Sequence, residues 1–337
     1  MSRTTRPLFA RLTRARASDL AGQAPGVTPG VTPAPITADQ TPVTTSRPAA
    51  GLGRRLAPWS LMLLAILWGS TFFSIKRLLV TIPATDFLAV RFLISTVVLS
   101  LVFCRSFRMG RRTFIHGLIL GALWAAAQLF QTVGLAHTSA SISGFVTGLY
   151  VVFTPLLGFL LFRLKVHRWV WVAVGLATVG LAALTIRPQA GIIGYGELLT
   201  IACAVVYALH IAVMGRWSSP REAAGLTIAQ SLSMTVIFIL FALPGGIQLP
   251  HSGVDWIWMI YLAVLCGAVA LLLQTWAQGY LEPSKAAVIM CSEPLWATFF
   301  AILFGGERPS WLFAVGACAI LGAMYLVIRP PSAQSNR

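Results

Sequence analysis

The run ELLTIACAVVYALHIAVMGRW at residues 197–217 is followed by AAGLTIAQSLSMTVIFILFAL at 223–243, with only SSPRE between them. About 20 apolar residues, each rising about 1.5 Å, cross the hydrocarbon core of a bilayer. Two such runs joined by a five-residue polar link predict a helical hairpin through a membrane. Working outward, eight further runs of this kind are found, and the full set predicts spans at 59–80, 86–104, 113–135, 141–162, 169–186, 197–217, 223–243, 256–278, 283–304 and 311–328. Hydrophobic residues make up 57% of the chain and charged residues 10%, against about 25% charged in an ordinary soluble domain. With a mean hydropathy of +0.80, the chain reads as an all-α polytopic membrane protein of ten transmembrane helices.

Residues 1–56 are of another kind. They are rich in Pro, Thr, Ala and Arg, and eight arginines face only Asp19 and Asp39. Such a segment buries too little apolar surface to offset chain entropy, so a disordered N-terminal tail is expected. The first apolar run begins too late for a cleavable signal peptide. The net charge of +16 would suggest nucleic acid or an acidic partner in a soluble protein, but here its distribution follows topology. If the tail is cytoplasmic, the inward-facing segments hold 20 of the 25 Lys and Arg. This positive-inside bias predicts cytoplasmic termini on both sides of the spans and a location in the plasma (bacterial inner) membrane, and no nucleic-acid partner is expected. The five cysteines, Cys104, Cys203, Cys266, Cys291 and Cys318, form no Cys-x-x-Cys pair and no Cys/His cluster. They read as small apolar side chains, and no metal or other cofactor is expected.

The two halves of the apolar region echo each other. Gln131-Thr132, Ser141 and Tyr150-Val151 correspond to Gln274-Thr275, Ser284 and Glu293-Pro294 at an offset of 143 residues, and Trp169 corresponds to Trp311 at 142. A unit of five spans is odd, so the second copy must be upside down relative to the first. The organisation expected is a tail at 1–56, a first five-helix repeat at 57–187 and an inverted second repeat at 196–329. Inverted repeats of this sort mark transporters, because the two units can exchange conformations across the midplane. Prolines cluster at span ends, but Pro155 and Pro294 lie inside spans four and nine, where each predicts a kink.

Several motifs make the likeness specific: LWGSTF at 67–72, Arg91-Phe92 after Pro83, QTVGLAHTSASISGFVTGLYVVFTP at 131–155, GELL at 196–199, Glu293-Pro294 and GER at 306–308. In this order, and in two copies, they resemble the drug/metabolite transporter superfamily in its ten-helix EamA-type branch. The resemblance covers essentially the whole chain after residue 56. It implies a carrier of amino acids, other metabolites or drugs. One departure is that Lys165 stands where the first-half counterpart of Glu307 would be.

Glu293, nine or so residues into span nine, is the most central acid. A charge at mid-membrane is costly, about 2.5–3.5 kcal/mol on insertion scales. It must therefore face a wet cavity, hold a proton or pair with a cation. The competing reading is a carboxylate bonded to backbone freed by Pro294. Arg91 can bind a substrate carboxylate as a fork or snorkel to the head groups, as can Lys76. Ser143, Thr147, Tyr150 and Thr154 share one face of span four, beside Gly144 and Gly148, which read as a helix-packing pair. Thr200, Cys203, Tyr207, His210 and Met214 share a face of span six, with His210 either a packing element or a proton carrier. Gln128 and Gln131 in span three, and Gln274 and Gln278 in span eight, offer amide donors and acceptors at matching depth. Trp68 is the deeper of two aromatic wall candidates, the other being Trp276.

The candidate cavity lining is thus Trp68, Arg91, Gln131, Thr147, Tyr150, Tyr207, His210, Gln274 and Glu293, with Glu293 also the proton-coupling candidate. The function expected is export of a small, amino acid-like metabolite by alternating access, with protons as coupling ion. The alternative is a membrane-embedded enzyme acting on lipid or isoprenoid substrates. Such enzymes need clustered catalytic groups, and the sequence has no Asp-rich motif, phosphate loop or His-Glu-x-x-His run.

Overall fold

The structure, a computed structural model, describes residues 48–138, 140–185, 194–305 and 311–328. Most of the basic tail lies outside them, as do Arg187, Glu307 and Arg308 and the side chain of Lys76. The described residues are almost wholly helical, with no strand among them. In the first half run α1 (Pro48–Gly69), α2 (Thr71–Leu79), α3 (Ala84–Val102), α4 (Arg111–His137), α5 (Ala140–Gly148), α6 (Tyr150–Phe162) and α7 (Arg168–Thr185). In the second run α8 (Tyr195–Trp217), α9 (Ala223–Ala242), α10 (Gly253–Ala263), α11 (Ala270–Gln278), α12 (Pro283–Met290), α13 (Glu293–Gly305) and α14 (Trp311–Ile328). Among the described residues, six helical stretches are long and apolar enough to cross a bilayer: Ala84–Val102, Arg111–His137, Tyr195–Trp217, Ala223–Gly245, Gly253–Gln278 and Trp311–Ile328. The chain is a multi-pass membrane protein.

The other four expected runs fall on α1 with α2, α5 with α6, α7, and α12 with α13. Three of these are broken near their middles, each for a local reason. At Ser70 the hydroxyl bonds back to Leu67 O at 2.7 Å and Thr71 Oγ1 to Trp68 O at 2.7 Å, which offers the carbonyls a partner outside the helical ladder. Gly69 at this break lets α1 press on the first turn of α13. A Cβ there would stand 2.6 Å from Trp296 Cβ and 2.8 Å from Glu293 O. At Leu149 the backbone tightens to an i−3 bond with Val146 O. Pro155 follows inside α6, and Thr154 Oγ1 takes the Tyr150 carbonyl at 2.7 Å. The third break, at Cys291 and Ser292, stands immediately before Glu293-Pro294. Pro294 sits in the first turn of α13, where its missing N–H costs nothing. Between α10 and α11 the helix does not break but widens into a π segment at Val264–Val269.

Helix ends follow ordinary capping. Glu197 in the first turn of α8 accepts from Gly194 N at 2.9 Å and from the Thr138 hydroxyl, tying α8 to the end of α4. Ser252 caps α10 by accepting from Asp255 N at 3.1 Å.

Packing joins the halves of the chain intimately. α4 lies against α8 and α9, α1 against α11 and α13, α3 against α9, and α7 against α14. Close approach of α4 to α9 depends on Gly117 and Gly121. A Cβ at Gly117 would overlap Ala229 Cβ, and one at Gly121 would overlap the Gln230 carbonyl. Small residues at such spacing let membrane helices meet backbone to backbone. Of the glycine pair in span four, Gly148 packs on Leu181, whereas a Cβ at Gly144 would meet nothing within 4 Å.

Gly121→Leu should therefore force α4 and α9 apart, a steric cost of about 1–3 kcal/mol or more. Gly175→Leu, where a Cβ meets nothing within 4 Å, should leave stability unchanged or slightly raised. Thermal unfolding of the two variants in detergent checks the contrast, and equal midpoints would refute the packing assigned to Gly121.

Candidate functional site

The three helix breaks lie around one cavity, and the π segment bonds two of its lining residues, Arg91 and Trp68, through Cys266 O. Trp68 and Thr71 flank the break at Ser70, Thr147 and Tyr150 flank that at Leu149, and Met290 and Glu293 flank the third. α3 contributes Arg91, α8 contributes Tyr207, and α11 contributes Gln274. The cavity offers the centre of a water-sized sphere about 50 Å³. A water needs roughly 10–15 Å³ measured this way, so a few waters fit while a metabolite needs the helices to part.

Its floor is a cluster of aromatic rings that meet tilted and edge-on. Trp124 on α4 lies between Trp68 and Tyr207, with ring centroids 5.4 and 5.2 Å away. Amides and hydroxyls form one wall. The Tyr207 hydroxyl donates to Gln128 Oε1 at 3.1 Å, Gln128 Nε2 donates to Gln131 Oε1 at 3.2 Å, and Gln131 Nε2 reaches Thr147 Oγ1 at 3.4 Å. The Tyr150 hydroxyl and Gln274 Oε1 are buried without a hydrogen-bond partner among the described residues. Both are thus available to a solute, since buried polar groups are otherwise nearly always bonded.

Two side chains that ionise in water face this wall. Arg91 is buried among membrane helices, and the π segment explains how it is held there. Widening the helix loosens its carbonyls from the ladder. Arg91 Nε donates to Leu262 O and a terminal guanidinium nitrogen donates to Cys266 O, each at 3.3 Å. Trp68 Nε1 donates to the same Cys266 carbonyl at 3.1 Å, and Ser95 Oγ bonds Ala263 O at 2.6 Å. The guanidinium also stands 5.4 Å from the Phe92 ring centroid and 5.8 Å from that of Phe87. Arg91 is therefore anchored inward and does not snorkel. Two bonds leave three of its five N–H groups for other partners. Glu293 is half-buried at the N-terminus of α13 and borders the cavity. The first amides of that helix bond to Ser292 O, at 3.0 Å from Leu295 and 3.3 Å from Trp296. These two amides are thus served without the carboxylate, and no cation pairs with Glu293 among the described residues.

Of the nine residues singled out from sequence, the fold brings eight to this cavity: Trp68, Arg91, Gln131, Thr147, Tyr150, Tyr207, Gln274 and Glu293. His210 does not border it. Its ring packs edge-on behind Trp124 at 4.9 Å, and Nε2 meets Gln230 Oε1 at 3.1 Å. Trp124, which centres the aromatic cluster, was not foreseen. Its one signal is a tryptophan in the middle of a span, away from the interfacial belt. Thr71, Ile75, Ile211 and Met290 also line the cavity, and nothing in their types marks them. Trp276 instead packs on Tyr280, with ring centroids 5.1 Å apart.

The sequence pattern of the EamA-like transporter family matches this chain twice, over residues 56–186 and 194–329. An uncharacterized transporter of Archaeoglobus fulgidus is 30% identical over 281 residues, which is 83% of this chain and 88% of that protein. The uncharacterized transporter YetK of Bacillus subtilis is 24% identical over 270 residues, 75% of this chain and 81% of its own length. Among solved structures, one described only as the crystal structure of a protein superposes with a TM-score of 0.68 at 17% identity, covering 81% of this chain and 95% of that one. That likeness concerns the fold alone. With the family pattern matched in both halves and a relative alike over most of its length, this chain belongs to the EamA-like transporter family.

Proposed function

We propose that the protein is a secondary transporter that exports a small polar metabolite, amino acid-like or related, by alternating access. The observation that carries this reading is the convergence of polar side chains from both halves on one small cavity, at the level where α1/α2, α5/α6 and α12/α13 break. Irregular backbone at membrane depth is tolerated where it is buried in protein or lines a cavity, and discontinuous helices are how carriers expose backbone and side chains to cargo. A zwitterion suits the lining. Arg91 has donors to spare for a carboxylate, Glu293 can face an ammonium group or a proton, and Trp68 and Trp124 supply an apolar wall.

The ten apolar runs form two five-span repeats, 57–187 and 196–329, inverted relative to each other. The packing supports this reading because it survives exchange of the halves. α3 on α9 and α7 on α14 pair equivalent spans, while α4 on α8 and α1 on α11 are each other's image. The positive-inside bias places both termini in the cytoplasm of a bacterial cell, with the spans in its plasma membrane. Rocking of one repeat against the other then opens the cavity to either side in turn. Glu293 carries the coupling proton, being the central acid and paired with no cation among the described residues.

Orientation is tested with single cysteines at exposed positions in an otherwise cysteine-free protein. In intact cells an impermeant thiol reagent should label His251→Cys, and it should label Arg105→Cys only after permeabilisation. The reverse pattern would overturn the orientation. Untargeted metabolite profiling of cells with and without the protein names the cargo as the compound that accumulates inside on deletion. In proteoliposomes with that compound, one pH unit should drive up to about tenfold accumulation for a single coupled proton. Glu293→Gln should abolish accumulation yet keep downhill exchange. Unchanged accumulation in this variant would remove Glu293 as the proton carrier while leaving transport in place.

A further inference from the structure

A second polar group lies beneath the central cavity, at the end of the bundle where α8 and α11 finish and α9 begins. His210 on α8 touches the underside of Trp124, and its Nε2 bonds Gln230 Oε1 on α9. Gln230 Nε2 in turn donates to Thr275 Oγ1 on α11 at 3.3 Å. The Ser218 hydroxyl, at the end of α8, bonds the Thr275 carbonyl. Gln278 follows Gln274 by four residues, so it stands one turn below this cavity residue on the same face of α11.

These groups are as buried as any apolar core. His210, Gln230 and Thr275 are 0% exposed, and Gln274 and Gln278 are 1% exposed. Yet their hydrogen bonding is incomplete. Both polar atoms of the Gln278 amide, His210 Nδ1, Gln274 Oε1 and Trp124 Nε1 have no partner among the described residues. An unsatisfied buried polar group is costly, and several of them gathered on α4, α8 and α11 are not a packing device. Leucine or methionine would fill the same space without that cost. The end of the column is shut by two glycine–proline contacts. A Cβ at Gly279 would lie 2.6 Å from Pro220 Cδ, and one at Gly215 would overlap Pro283 Cγ. Neither contact is polar, and the Ser218–Thr275 hydrogen bond also joins α8 to α11 at this end.

We propose that Gln274, His210, Gln230, Thr275 and Gln278 form a second site, the cytoplasmic limb of the transport path, which binds water and hydrogen-bonding solutes between the central cavity and the inner face. In the conformation described here the limb is closed by the Pro220 and Pro283 contacts. When α11 separates from α8 and α9, the Gln278 amide is the first polar group a solute meets on the way to or from Gln274. Placing the limb on the cytoplasmic side rests on the orientation proposed above. The polar column itself does not.

Cysteine accessibility separates the two claims and needs no cargo. In full-length protein freed of its native cysteines, Gln278→Cys and the near-isosteric Thr275→Cys are exposed to the impermeant cationic reagent trimethylammonioethyl methanethiosulfonate. The reagent is added to inside-out and to right-side-out membrane vesicles. The control is Val236→Cys on the 49% exposed outer face of α9. Thiols react as thiolates, which form in water and not in lipid. Both limb variants should therefore label about tenfold or more faster than the control in inside-out vesicles. Labelling no faster than the control from either side, in either variant, would overturn the limb. Fast labelling only in right-side-out vesicles would overturn its cytoplasmic placement, and the orientation with it.

Discussion

The need to satisfy backbone polar groups inside a membrane governs this structure. Water is absent from the hydrocarbon core, so a helix that breaks there must find partners for its freed carbonyls and amides within the protein. Here the irregular segments are gathered in one place, and each is served differently. Cys266 O in the π segment takes Arg91 and the indole of Trp68, and Leu262 O and Ala263 O, in the last turn of α10 just before it, take Arg91 and Ser95. The break at Ser70 is served by the neighbouring hydroxyls of Ser70 and Thr71, and that before Glu293 by the Ser292 carbonyl. Grouping the breaks makes a polar chamber out of what would otherwise be scattered defects. The close contact of Gly69 with the first turn of α13 holds two of them together.

The same arrangement gives the chamber its chemical polarity. A guanidinium deep in a membrane is stable only where carbonyl dipoles replace its hydration. The last turn of α10 and the π segment supply those dipoles from one side and leave the other side of Arg91 open to the cavity. Glu293 stands at a helix N-terminus, where the backbone dipole favours negative charge, and its first-turn amides are already bonded to Ser292 O. Neither side chain is consumed by the structure that holds it.

Much of this was legible in residue types. The long apolar runs and the position of Pro294 locate the helices and one of the breaks. Arg91, Glu293, the amides and the hydroxyls stand out because polar groups are rare and costly in such runs, so seven of the eight residues chosen on that ground border the cavity, as does Trp68, chosen as an aromatic wall. His210 was chosen on the same ground, yet it packs behind Trp124. Periodicity puts it on the same face of α8 as Tyr207, but only the packed aromatic floor decides which side of Trp124 each occupies. Trp124 itself went unremarked because a tryptophan is equally suited to lipid, to a helix interface and to a cavity wall.

The sequence by itself determined the membrane class, the family and the apolar runs, because those depend on composition, hydropathy and motif order, which are local and additive. It did not contain the π segment, since no proline or glycine pair announces a widened helix. It did not separate the glycines that let helices touch, Gly117 and Gly121, from Gly144, which meets nothing. Those outcomes belong to the tertiary structure, because each depends on what a distant helix presents at the point of contact.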